Sequence, residues 1–148
     1  MRSKLSEWYD VGLRYEKTLE DGTTKTVTEQ YVVEAKSFTE AESNIGEQMK
    51  PYIRGNFAVK SIKKTPFSEI FFSTKDKDNK WFKAKLQFVT INEKSAKEQL
   101  SNVVYLIQSA NLSKACKSID DIMDGTTIDY DSLSLQETKI MDVFEFGK

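Results

Sequence analysis

Between residues 8 and 16, apolar and polar positions alternate. Tyr9, Val11, Leu13 and Tyr15 fall on one side and Trp8, Asp10, Gly12, Arg14 and Glu16 on the other, the period of a half-buried strand. Glu20-Asp21-Gly22 then predicts a tight turn, because Asp-Gly supplies the positive φ that a hairpin needs. A second strand follows near Val27 to Lys36, with Val27, Tyr31, Val33 and Ala35 on one face. Ser37 reads as a helix N-cap with Glu40 as its capping-box partner. Phe38, Ala41, Ile45 and Met49 form the apolar stripe of a helix that stops near Pro51. A third strand runs from Phe57 to Thr65, and Pro66 interrupts the chain before Glu69-Ile70-Phe71-Phe72.

The same order returns further along. Trp8-Tyr9 to Tyr15 aligns with Trp81-Phe82 to Phe88 at an offset of 73, and Phe38-Thr39-Glu40-Ala41 aligns with Leu112-Ser113-Lys114-Ala115 at 74. Ser61 to Thr65 then meets Ser134 to Thr138, and Glu69-Ile70-Phe71 meets Asp142-Val143-Phe144, both at 73. The second copy therefore predicts strands at Trp81 to Ile91 and Val103 to Ser109, a helix over about Leu112 to Met123, and a strand near Tyr130 to Glu137. Gly125 stands where a helix C-cap glycine belongs. Neither copy is large enough to hold a core alone. The expected fold is α+β: one domain over residues 1–148, made of two ββαβ repeats at about 7–73 and 80–146. They would be related by a pseudo-twofold axis and share one antiparallel sheet with the helices on one face.

Composition narrows the chemistry. The 148 residues carry 22 Lys and Arg against 23 Asp and Glu, so a net charge of -1 gives no global pull toward nucleic acid or membrane. There is no His, which removes the commonest general base and the commonest metal ligand. A single Cys excludes an internal disulfide and a Cys/His zinc site. The N-terminus lacks the apolar core of a signal peptide, and no stretch approaches the roughly 18–20 apolar residues of a membrane span. A cytoplasmic protein without membrane contact is the expectation.

Several motifs look chemical at first sight. Cys116 falls within the apolar stripe of the second helix and, without a His to activate it, is read as core packing. Asp120, Asp121, Asp124, Asp129 and Asp131 lack EF-hand spacing; the first three are read as a solvated helix face and the last two as part of the following loop and strand, so no metal is expected. Glu69 and Asp142 are equivalent by the repeat and could pair as carboxylates. No nucleophile accompanies them, so no catalytic residue and no cofactor are assigned.

Trp8-Tyr9, Arg14-Tyr15-Glu16-Lys17-Thr18, Ser37-Phe38-Thr39-Glu40-Ala41-Glu42, Glu69-Ile70-Phe71-Phe72 and Met141-Asp142-Val143-Phe144-Glu145 together resemble a domain-of-unknown-function family, family 4494. Its members are small proteins from Bacteroides relatives and their phages. The resemblance spans nearly the whole chain and implies a phage or mobile-element origin. It brings no activity, cofactor or functional residue.

The remaining signal is local charge. Between Lys60 and Lys85 eight lysines, Lys60, Lys63 and Lys64 among them, face three acids, whereas from Asp120 to Lys148 eight acids face Lys139 and Lys148. Alternation puts Trp81, Lys83, Lys85 and Gln87 opposite Phe82, Ala84, Leu86 and Phe88. An aromatic ring beside two ammonium groups can stack a base and neutralise phosphates. Trp8, Asp10 and Arg14 repeat the arrangement more weakly. The expected ligand site is therefore Trp81, Lys83, Lys85, Trp8, Arg14, Lys60 and Lys64. It belongs to a non-enzymatic binding module for a nucleotide, signal nucleotide or nucleic acid. The competing expectation is an interaction or homo-oligomeric module whose Trp8/Trp81 face meets a second copy or a host protein.

Overall fold

The computed structural model describes residues 1–146, and Lys148 of the acidic stretch lies outside the described residues. In chain order the strands are β1 (Arg2–Lys4), β2 (Trp8–Thr18), β3 (Thr24–Glu34), β4 (Phe57–Lys64), β5 (Glu69–Phe72), β6 (Lys80–Ile91), β7 (Glu98–Ser109), β8 (Asp129–Glu137) and β9 (Ile140–Phe144). Helix α1 (Phe38–Met49) follows β3 and runs into a 3-10 turn at Lys50–Tyr52, and α2 (Leu112–Asp124) follows β7. The class is α+β. The elements sort into two compact units. The first-hairpin unit comprises Ser6–Thr65 and the segment from Lys139 onward, and the second-hairpin unit comprises Met1–Leu5 and Pro66–Thr138.

The first-hairpin unit is organised by β2 and β3, antiparallel in register from Trp8↔Glu34 to Thr18↔Thr24. Gly22 closes the connection at φ +86, while the Asp21 carboxylate accepts from the Thr23 N–H and hydroxyl. β4 pairs with the other edge of β2, and its register slips by one between Gly12 and Leu13. A Cβ at Gly12 would lie 2.7 Å from Ser61 Oγ, so the bare glycine leaves room for that hydroxyl at the bulge. Ser37 caps α1 by accepting from the Glu40 N–H at 3.1 Å. Ala41, Ile45 and Met49 are buried against Tyr9, Val11, Leu13, Tyr31 and Val33. Phe38 departs from the expected stripe. It is half exposed and touches the core edge-on through Tyr9, at 5.1 Å between ring centroids. Asn44 takes a buried place instead, because its amide donates to the Glu34 carbonyl.

The second-hairpin unit carries the same order of elements. β6 and β7 pair antiparallel from Lys80↔Ser109 to Ile91↔Glu98, β8 pairs with β6 with a bulge between Lys85 and Leu86, and Asn111 caps α2 by accepting from the Lys114 N–H. Ala84, Leu86, Ile107, Ile119 and Met123 are buried together with Phe71. Gly125 does end the helix, but in a right-handed conformation at φ -77. Cys116 corrects its core assignment: the thiol is exposed. It lies about 100° around the helix from Ala115, at the margin of the stripe set by Ala115, Ile119, Ile122 and Met123.

The strands do not form one antiparallel sheet. They form a five-stranded sheet of order β1-β5-β7-β6-β8 and a four-stranded sheet of order β4-β2-β3-β9. Each contains one parallel pair, made by the last strand of the opposite repeat: β5 joins β7, and β9 joins β3. Pro66 explains the departure of β5. It ends β4, and Ile70, Phe71 and Phe72 are all buried, so this short strand needs cover on both faces. Its place between β1 and β7 pairs both of its edges, and Phe71 packs with Ala84, Leu86, Ile107 and Ile119 on one face.

Candidate functional site

Lys83 and Lys85 sit on β6, the strand flanked by β7 and β8. Lys83 is opposite Leu106 and Gln136, and Lys85 is opposite Val104 and Ser134. Lys83 is half-buried and Lys85 exposed. Neither forms an ion pair among the described residues, unlike Lys80, whose ammonium lies 3.7 Å from Glu137.

The aromatic part of the expected site is corrected by the structure. Trp81 is 2% exposed and Trp8 is 3% exposed, so neither offers a stacking face. The Trp81 ring meets Phe72 edge-on at 5.7 Å. Alternation assigned Trp81 to the side away from Phe82, but both sides of β6 are enclosed where the strand begins, since Phe82 is 1% exposed. The other expected residues belong to the first-hairpin unit. Arg14 is exposed on β2 between Thr28 and Ala58, and Lys64 is exposed on β4. Lys60 is the exposed residue at the bulge, left without a partner position when Ser61 aligns with Gly12 and Val59 with Leu13. The lysine-rich stretch is thus divided, with Lys60, Lys63 and Lys64 in one unit and Lys75, Lys77, Lys80, Lys83 and Lys85 in the other.

Lys63 already has company. It pairs across from Asp10, whose carboxylate accepts from the Gln30 amide at 2.6 Å. Burial pushes the Asp10 carboxyl up, opposed by the Gln30 hydrogen bond and the Lys63 charge. These groups border an open cavity of about 620 Å³ with Gly12, Ser61 and Lys139.

A second constellation in the same unit was absent from the sequence reading. Glu29 lies on the inward face of β3, and both Tyr15 and Tyr31 donate their hydroxyls to its Oε1, Tyr31 at 2.9 Å. Lys17 approaches Oε2 at 3.8 Å. Burial first, then the hydrogen bond to Glu29 and its charge, push the Tyr15 phenol up to about 12, and Tyr31 rises for the same reasons. These groups line a cavity of about 450 Å³ together with Tyr52, Asp142 and Phe144. The signal for the cluster is visible in the alternation. Between Val27 and Tyr31, the apolar face of β3 is broken by a glutamate.

Glu69 and Asp142 occupy matching places in different units. Glu69 is opposite Tyr105 on the parallel pair β5–β7, and Asp142 is opposite Tyr31 on β3–β9. Each therefore has a tyrosine across the ladder. Among the described residues no group of three or more His, Cys, Asp or Glu is placed to hold a metal ion, and no helix is long and apolar enough to cross a membrane.

The family comparison covers this whole arrangement. The pattern of a domain of unknown function, DUF4494, matches residues 7–146. The chain belongs to the DUF4494 family. Comparison with curated proteins and with solved structures finds no match. In this DUF4494 member, the match takes in both hairpins, both helices and the two exchanged strands, leaving only β1 before it.

Proposed function

We propose that this DUF4494 protein is a non-enzymatic binding module for a polyanionic ligand, a nucleotide, signal nucleotide or nucleic acid, received on β6 by Lys83 and Lys85. The observation that supports the reading is the pair's setting. Two ammonium groups stand at i and i+2 on one strand face, beside the neutral hydrogen-bonding side chains of Gln136 and Ser134 and with no ion pair among the described residues. Their stems are about 7 Å apart, near the spacing of successive phosphates. Contact is then electrostatic and polar, without the base stacking that the buried Trp81 cannot supply. Trp8 and Trp81 offer no contact face to a second copy or a host protein, because both rings are buried. A cytoplasmic location and the phage or mobile-element origin implied by the family resemblance suit a module that sequesters a nucleotide signal in phage–host conflict.

The test is a panel of nucleotides and short oligonucleotides titrated at low and moderate salt. Wild type should bind at low salt and weaken as salt rises. Lys83→Ala with Lys85→Ala should weaken binding and flatten the salt dependence, since fewer counterions are released. Absence of binding at low salt, or a double variant that binds like wild type, overturns the reading.

A further inference from the structure

We propose that the cavity framed by Tyr15, Tyr31, Tyr52 and Phe144 binds an organic cation, a primary alkylammonium or guanidinium group, held against the aromatic rings with its N–H groups donating to the Asp142 carboxylate. This site lies in the first-hairpin unit and is independent of the lysine pair on β6.

The cavity's size suits a small ligand: about 450 Å³ falls within the roughly 300–1,000 Å³ typical of ligand pockets. Its walls are rich in rings. Tyr31 stacks on Phe144 with centroids 5.5 Å apart and planes 19° from parallel, Tyr15 contributes from β2, and Tyr52 contributes from the turn after α1. Rings attract cations through the faces that stacking leaves open and give no comparable hold on an anion.

The charged groups agree with the rings. Two carboxyl groups, Glu29 and Asp142, line the cavity against one ammonium, Lys17, which is engaged with Glu29 at 3.8 Å. Glu29 is also taken by two phenols, so its capacity is largely used. Asp142 differs. It is exposed at the mouth of the cavity, and its one described hydrogen bond comes from the N–H of the next residue, Val143, at 2.8 Å. Partial desolvation by the neighbouring rings and strand pushes this carboxyl up, with only the Val143 N–H pulling the other way. An arriving cation supplies the counter-charge that no described ion pair gives Asp142. A neutral ligand does not.

The phenols sharpen the choice. Both are held protonated and donate to Glu29, so they present neutral rings and oxygen lone pairs to the cavity, not phenolate charge. Tyr52 is 74% exposed and stands at the rim, where it can cover a bound alkyl chain while the charged end reaches Asp142.

The experiment is a chemical-shift titration of the whole chain with n-butylammonium, and with 1-butanol as the neutral counterpart of the same heavy-atom count. Butylammonium should bind at least tenfold more tightly than 1-butanol. Asp142→Asn keeps the acceptor for the Val143 N–H and should lower butylammonium affinity at least tenfold. Tyr52→Ala alters only an exposed ring and should weaken binding several-fold in a fully folded protein. Equal binding of 1-butanol, an Asp142→Asn chain that binds like wild type, or no response at millimolar butylammonium overturns the proposal. Because the probe is a cation and the variants leave β6 untouched, the result is separable from the fate of the polyanion reading.

Discussion

Tyr15 shows how a single side chain couples local chemistry to stability. Its phenol titrates near 10.0 in a free chain and is pushed up to about 12 in the folded one, by burial first and by Glu29 second. Because the folded value is the higher one, the native state favours the protonated phenol. Its contribution is complete below about pH 10 and is lost as pH rises from there to about 12, where the unfolded chain ionises first. Tyr31 acts in the same direction, so alkaline unfolding should be steep. In Tyr15→Phe, Glu29 keeps Tyr31 and Lys17 but loses one donor. The variant should be less stable than wild type at pH 8, and the gap between them should shrink toward pH 12, as read from urea midpoints beside tyrosinate absorbance. A gap independent of pH would show that this phenol titrates alike in the folded and unfolded chains.

At the scale of elements, the two helices begin with side-chain caps of different identity at matching positions, Ser37 and Asn111. Each oxygen satisfies one of the N–H groups that an α-helix leaves orphaned at its start. Ser37→Ala should cost about 1 kcal/mol and Asn111→Ala a similar amount, each measured by denaturant titration. Substitution by Gly should recover most of the loss, and full loss with Gly would point to a contact other than the cap. The Ser37 cap was legible because capping is local: a Ser, a Glu three residues later and an apolar stripe lie within one short window. The long hairpins were legible for the same reason, since Tyr9 to Tyr15 and Phe82 to Phe88 alternate over four apolar positions each. Trp81 marks the limit of that logic. Alternation says which side of β6 it occupies, but solvent exposure depends on packing that no window contains. Glu29 is the converse, a polar residue on an apolar face whose two phenol donors come from Tyr15 and Tyr31 on β2 and β3.

At the scale of the whole molecule, the exchange of β5 and β9 makes each repeat incomplete. The first-hairpin unit takes β9 from beyond Thr138, and the second-hairpin unit takes β1 and β5 from the first half of the sequence. Four- and five-residue strands carry too little periodicity to reveal their partners, so the repeat was readable while the exchange was not. The energetics follow from what each repeat would lack alone. Residues 1–75 would keep the β2–β3 hairpin but leave Val32 and Val33, both fully buried in the intact chain, on an unpaired edge. They would also carry Ile70, Phe71 and Phe72 with no β7 to receive them. Residues 76–148 would expose the same edge of β7 and carry Ile140 and Val143 without β3. Each half therefore gives up buried apolar area, worth about 25 cal/mol per Å², and gains an exposed sheet edge that invites aggregation. Expressed separately, the halves should be unfolded or aggregated by circular dichroism and sedimentation. Mixed after joint refolding, they should recover the hydrogen-exchange protection of β3 and β7 seen in the intact chain. A half that unfolds cooperatively by itself would show that its own hairpin and helix suffice, and that the exchanged strand is dispensable to the unit it completes.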